Sequence, residues 1–367
     1  MLATVKSCGL NGIDGFEVIV EVNLANGLPA FEIVGLPDAS VKESRERVRA
    51  AARNSGFPFP GTRLTVNLAP ADMKKEGPAY DLPIAIGTLC CTGLIPEEAL
   101  KETCIFGELS LDGSVRSVRG ALPMVISALE KGVRRVMLPE DNLNEVRCVE
   151  GIQLLPVRHL IQAVEHLRGR TPIEPVIPVD YASLLEHREY LEDFKNVKGQ
   201  SSAKRALEIA AAGGHNVLMI GSPGSGKTLM ARCMPSILPD MTFAEALEST
   251  RIHSVAGSVP PSGLLTERPF RSPHHTASHA SLVGGGSTAL PGEISKAHNG
   301  VLFLDELPEY KRDVLEALRQ PLEDGFVTIT RVNAQATYPA RFILICSMNV
   351  RRFEPIRVRA LKTHKAA

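Results

Sequence analysis

The stretch Gly221-Ser222-Pro223-Gly224-Ser225-Gly226-Lys227-Thr228 follows an apolar run at residues 216–220 and satisfies G-x-x-x-x-G-K-[ST] at every fixed position. Its glycines let backbone N–H groups turn inward around phosphate oxygens. The helix that Lys227 opens directs the positive end of its dipole at the same charge. Lys227 is expected to reach the β and γ phosphates of a nucleotide, and Thr228 to ligate Mg²⁺. A glycine-rich turn between strand and helix can also be purely structural. The complete pattern behind a buried strand argues for nucleotide binding and leaves hydrolysis open.

Two further elements extend the reading downstream. Residues 301–306, Val-Leu-Phe-Leu-Asp-Glu, are a buried strand ending in two carboxylates, which brings both to the C-terminal edge of a sheet beside the phosphate loop. Asp305 is expected to help hold Mg²⁺, and Glu306 to polarise an attacking water as general base. Surface acids capping a strand are the plain alternative, and the phosphate loop upstream favours the functional one. A third apolar strand, residues 342–346, leads into Ser347-Met348-Asn349. Asn349 would contact the γ-phosphate or orient the water; an Asn at a strand end is also a common turn former. The order of phosphate loop, acidic pair and polar residue on successive strands favours the catalytic role. Long helices between such fully apolar strands are the pattern of an α/β domain on a parallel sheet.

A chain of 367 residues has material for about two domains. Its formal net charge of zero gives no global attraction to nucleic acid or lipid, so any polyanion binding must come from local patches. The seven cysteines include no Cys-x-x-Cys pair, and several lie in apolar runs, so they read as buried thiols of a cytoplasmic protein. The longest apolar stretch, residues 82–95, is broken by Pro83, Gly87 and Gly93 and is too short to span a bilayer. With no signal-like N-terminus, no membrane association is expected.

The region before the phosphate loop alternates short strands and helices. Residues 16–24 alternate with period two; Asp38 caps a helix running to about Ser55; residues 63–68 form a strand and 81–94 a buried helix. Residues 105–118 read as a hairpin turning at Asp112-Gly113, 121–131 as a helix stopped by Gly132, and 134–138 as a strand. This mixed α+β domain is expected over residues 1–168. Pro172, Pro175 and Pro178 mark 169–197 as a stiff linker. The nucleotide-binding core then runs over 198–349 and a basic tail over 350–367.

With these motifs in place, the core resembles an AAA+ ATPase module: Lys198-Gly199-Gln200 before the first helix, Walker A at 221–228, Walker B at 301–306 and a sensor 1 residue at Asn349. More narrowly it resembles the magnesium-chelatase-like YifB/ComM family. The discriminating segments are 268–276 (Arg-Pro-Phe-Arg-Ser-Pro-His-His-Thr), 282–286 (Leu-Val-Gly-Gly-Gly) and 291–300 (Pro-Gly-Glu-Ile-Ser-Lys-Ala-His-Asn-Gly). Residues 327–330 and 336–338 read as the hairpin this family places before sensor 1. The resemblance covers residues 1–349. His274, His275 and His279 lack a continuous helix and nearby Cys or acidic ligands, which disfavours a metal site. The resemblance implies instead an insertion pointing to the pore of a ring, where Arg268, Arg271 and the histidines suit either a nucleic-acid backbone or an ordinary polar surface loop.

The N-terminal domain resembles the proteolytic domain of Lon, a ribosomal S5 domain 2-like fold, through Lys75-Glu-Gly-Pro-Ala79 and residues 106–116. Lon uses a Ser-Lys dyad. Ala79 stands at the nucleophile position and Leu122 near the lysine, so the resemblance implies a platform without peptidase activity.

The family pattern continues after Asn349 with a cysteine-bearing stretch, an arginine finger and a helical lid with its own arginine. Residues 350–367 carry six Lys or Arg against one Glu and show no helical or strand period, so a core without its lid and a truncated or out-of-frame end are expected here. The resemblance implies a hexameric ring of self-copies that binds ATP and Mg²⁺ and drives branch migration or unwinding of branched or single-stranded DNA, with weak ATPase turnover in this chain. A magnesium chelatase-type motor subunit and an inactive nucleotide-binding remnant are the alternatives.

Overall fold

The computed structural model describes residues 1–186, 192–286, 289–331, 334–349 and 357–361. The chain forms two compact units, Met1–Asp180 with Val259–Leu264, and Tyr181–Ser258 with Leu265–Ala367. Among the described residues no helix is long and apolar enough to cross a membrane.

The first unit is built on strands β1 (Leu2–Asn11), β2 (Asp14–Ala25), β3 (Ala30–Val34), β4 (Arg63–Ala69), β5 (Thr103–Ile105), β6 (Arg135–Pro139) and β7 (Gln153–Val157). They lie in the order β3-β4-β2-β1-β5-β6-β7. Strands β1 and β2 pair antiparallel, as do β2 and β4, whereas β3–β4, β1–β5, β5–β6 and β6–β7 are parallel. The alternation read in β2 sends Val18, Val20 and Val22 into the core, all fully buried. Helix α1 (Ala39–Asn54) starts where expected, because the Val41 N–H donates to Asp38 Oδ1 at 2.8 Å. Helix α2 (Asp81–Cys91) is buried along its whole length and stops three residues short of the expected end, where Gly93 turns the chain at φ 77°. At its centre, a Cβ on Gly87 would come within 2.6 Å of Val22 Cγ2, so glycine sets how closely α2 lies on β2. Helix α3 (Ala121–Glu130) follows the expectation. The hairpin expected over 105–118 is reduced to Glu108–Leu109 against Val115–Arg116, because Ile105 is drawn into the large sheet as part of β5.

The proline-rich segment, expected as a stiff linker, is bonded along part of its length to the first unit. Val176 N–H donates to Leu154 O at 3.0 Å, Val179 N–H donates to Arg147 O at 3.0 Å, and Ile173 packs on the core of the first unit. The prolines exclude helix, but the residues between them still carry donors and apolar side chains, and these bind the strap to the sheet edge. The first unit therefore reaches Asp180 rather than residue 168.

In the second unit, β8 (Asn216–Gly221), β9 (Phe270–Arg271), β10 (Val301–Leu304), β11 (Ile343–Asn349) and β12 (Arg357–Leu361) form one sheet in the order β9-β10-β11-β8-β12. The first four are parallel, and β12 pairs antiparallel with β8. Helix α4 (Ser201–Gly213) precedes β8, and α5 (Lys227–Arg232) and α6 (Phe243–Ala256) follow it. A capping box of Thr242 and Glu245 starts α6. The hairpin expected before β11 is present as Phe326–Arg331 against Ala334–Pro339. In the tail, Arg357–Leu361 is a strand although its sequence shows no strand period. Backbone donors and acceptors on the open side of β8 can pair with any extended segment, whatever its side chains. The remainder of the tail, 350–356 and 362–367, lies outside the described residues.

Candidate functional site

The registers of three strands assemble the site. Gly221 at the end of β8 is opposite Asn349 at the end of β11, and Leu304 at the end of β10 is opposite Cys346. The phosphate loop, the acidic pair and Asn349 therefore emerge from one edge of the parallel sheet. Gly224 at φ 76° and Gly226 at φ 88° occupy the left-handed region, which lets the loop from Ser222 to Gly226 curl back over the strand end. Ser225 Oγ donates to Ser222 O at 2.7 Å and closes the curl, and Gln200 Nε2 reaches Ser225 O at 3.5 Å. Pro223 and Gly224 are exposed at its tip.

Lys227 is only 6% exposed. Its ammonium donates to Gly221 O at 3.0 Å, Ser222 O at 2.9 Å, Ser225 Oγ at 3.4 Å and Asn349 Oδ1 at 3.0 Å. Burial lowers its pKa from the ordinary lysine value, and the Asp305 carboxylate opposes that shift. Beside it, Thr228 Oγ1 donates to Asp305 Oδ2 at 2.8 Å. The other carboxylate oxygen, Asp305 Oδ1, accepts from Ser347 Oγ and from the Glu306 N–H at 3.1 Å. Lys227, Thr228, Asp305 and Asn349 thus meet as the sequence proposes.

Glu306 leaves the same edge, but its side chain faces His275 rather than the lysine and threonine. It is exposed, its backbone sits in the left-handed region at φ 54°, and its Oε2 lies 3.7 Å from His275 Nδ1. His275 is held there by its neighbours: Tyr310 Oη donates to Pro273 O at 2.5 Å, and the His274 and His275 ring centroids are 4.1 Å apart. The three histidines do not converge. His274 Nδ1 is 2.8 Å from Thr276 Oγ1, His275 faces Glu306, and His279 begins a short helix. Among the described residues no group of three or more His, Cys, Asp or Glu is placed to hold a metal ion.

The two arginines of this segment have partners within the fold. Arg268 donates to Pro239 O at 2.6 Å and Asn299 O at 2.8 Å and pairs with Glu245; Arg271 Nε donates to Glu293 Oε2 at 2.6 Å. Half-buried guanidiniums with carboxylate and carbonyl partners hold the segment in place, and this accounts for both arginines without a nucleic-acid backbone. Sequence reasoning also passed over Ser347, which is buried at the sheet edge and touches both members of the acidic pair. Its signal was a lone hydroxyl in an otherwise apolar strand, two residues before Asn349 and so on the same face.

In the first unit, Ala79 and Leu122 are both buried, and neither side chain has an atom that attacks a carbonyl or accepts a proton. Lys75, in the same motif, is fully buried with its ammonium donating to Met73 O at 2.8 Å and to Pro70 O. Burial lowers its pKa, and its carbonyl partners make it a clasp for the loop before α2.

The family described as magnesium chelatase, subunit ChlI, matches residues 193–364, and a second description, subunit ChlI of Mg-chelatase, matches residues 20–142. YifB of Escherichia coli (strain K12) is 45% identical over 348 residues, covering 95% of this chain and 68% of YifB. Competence protein ComM of Haemophilus influenzae is 45% identical over 350 residues, with the same coverage of 95% and 68%. Lon protease 2 of Bacillus subtilis is more distant, 23% identical over 181 residues that cover 45% of this chain and 32% of the protease. With two family descriptions matching in succession and 45% identity along nearly the whole chain, this protein belongs to the magnesium-chelatase-like family that includes YifB and ComM.

Proposed function

We propose that this chain is an AAA+ ATPase that binds Mg–ATP at residues 221–228 and uses its hydrolysis to do mechanical work on DNA. The observation that carries the reading is the meeting of Lys227, Thr228, Asp305 and Asn349 at one sheet edge. The donor set suits the ligand. A lysine ammonium and a curl of glycine-bearing backbone match phosphate oxygens, and a threonine hydroxyl beside a carboxylate is an oxygen-only pair of the kind Mg²⁺ takes. Lys227 would exchange its carbonyl partners for phosphate oxygens, with Thr228 and Asp305 holding the metal, which neutralises charge on the phosphates. Glu306 would accept a proton from water and Asn349 would orient that water or the terminal phosphate.

DNA as the partner rests on kinship with a competence protein, and overall neutrality leaves any such binding to local surfaces. A ring of identical copies, hexameric in this reading, would let an arginine from one copy complete the site of the next. The test is steady-state ATPase activity with branched DNA, single-stranded DNA and no DNA. Stimulation by branched DNA supports the reading, and indifference to every DNA removes it. A second reading, a motor subunit for metal insertion into a porphyrin, is favoured by the magnesium chelatase family match. It predicts stimulation by a chelatase partner instead.

A further inference from the structure

Asp305 divides its two oxygens between two neighbours. Oδ2 accepts from Thr228, while Oδ1 accepts from Ser347 Oγ and the Glu306 N–H. Ser347 is 1% exposed and sits in β11, where Leu344, Ile345 and Cys346 are all apolar and buried. A hydroxyl in such a place costs free energy unless it is bonded. Here it has a double role, donating to the Asp305 carboxylate and lying 3.4 Å from the Glu306 N–H, which donates to it. The same face of β11 carries Asn349 two residues on, bonded to Lys227. One strand therefore controls both halves of the site, with Asn349 meeting the lysine and Ser347 meeting the acidic pair.

We propose that Ser347 is a positioning residue for the divalent cation: its hydroxyl locks the Asp305 carboxylate so that Oδ2 faces Thr228. This rests on the Mg–ATP reading and deepens it. Without the Ser347 hydroxyl, Oδ1 keeps only the Glu306 N–H, and the carboxylate can rotate away from Thr228. Groups that orient a metal ligand from behind change metal affinity by about 10- to 100-fold when removed. The phosphate contacts of Lys227 do not pass through Ser347, so affinity for nucleotide without metal is unaffected.

The experiment titrates a fluorescent ATP analogue into the full chain, first in EDTA and then with stepwise Mg²⁺. It compares wild type, Ser347→Ala, Ser347→Thr and Lys227→Ala. The expected result is that Ser347→Ala raises the Mg²⁺ concentration giving half of the metal-dependent gain in affinity by about 10- to 100-fold. Its affinity in EDTA stays at the wild-type value, which also reports an intact fold, and Ser347→Thr, which keeps the hydroxyl, stays within about 3-fold of wild type. An unchanged Mg²⁺ midpoint in Ser347→Ala overturns the positioning role alone. Equal loss of affinity with and without Mg²⁺ overturns it too, because it marks a packing role. Absence of analogue binding in wild type, or equal binding by Lys227→Ala, overturns the nucleotide reading and the metal role with it.

Discussion

Lys227 and Asn349 lie 122 positions apart, yet the lysine ammonium donates to the Asn349 side-chain oxygen at 3.0 Å. The parallel pairing of β8 with β11 produces this contact by setting Gly221 opposite Asn349. A nucleotide phosphate drawn to Lys227 would therefore arrive beside Asn349. Asn349→Ala should leave Mg–ATP affinity within about 3-fold and lower turnover by about 10-fold, the value of one hydrogen bond to a charged group. Phosphate release at saturating ATP, alongside equilibrium binding, separates the two effects. A fall in affinity with unchanged turnover would assign Asn349 to ground-state binding.

Glu306 is expected to behave as a base. Glu306→Gln should bind Mg–ATP as wild type does and lose about 10²- to 10⁴-fold in turnover. Single-turnover hydrolysis measures this, and wild-type rates in the variant would move the base elsewhere. Because Glu306 faces His275, substitutions of His275 belong in the same assay.

The Tyr310 hydroxyl ties the segment bearing His274 and His275 to the end of the acidic strand by donating to Pro273 O. Tyr310→Phe removes that one bond while keeping the ring. It should destabilise the protein by about 1 kcal/mol, read from urea unfolding. No change in the unfolding midpoint would mean that the segment is held by its arginine contacts alone.

His298 carries a pH dependence. It is 2% exposed, its Nδ1 accepts from the Arg341 N–H at 3.0 Å, and its Nε2 faces Glu248 at 2.9 Å, which describes a neutral ring. Burial is the main cause that lowers its pKa, with Glu248 opposing. The unfolded chain takes up a proton near the ordinary value of about 6.5, before the folded protein does. Stability from this group is thus complete above that pH and declines as pH falls from there toward the folded pKa, by at most about 1.4 kcal/mol per pH unit. Urea midpoints at pH 7.5 and 5.5 should differ less in His298→Asn than in wild type. Equal differences would show that the ring takes no part.

The parts of this site that carry their own chemistry were legible before folding. Residues 221–228, the acidic pair and Asn349 each consist of residues whose types and order point to the phosphate, metal and water of the proposed site. Ser347 was not legible, because a serine in a strand has many uses and only the register of β10 against β11 sets it on Asp305. Arg268 and Arg271 suited a nucleic-acid backbone or a polar surface loop equally, because charge in a loop does not name its partner; Glu245 and Glu293, distant in sequence, are their partners. The strap after residue 168 and strand β12 were missed for a common reason. Both are held by backbone hydrogen bonds, which leave little trace in side-chain pattern.

Lys227 and its neighbours, in the proposed reading, form a Mg–ATP site. The most direct measurement is isothermal titration calorimetry of Mg–ATP into wild type and Lys227→Ala. Saturable one-site binding by wild type, weakened at least about 100-fold in the variant by loss of charge-assisted bonds to phosphate, is the predicted result. Binding of equal strength by both proteins, or by neither, would contradict it.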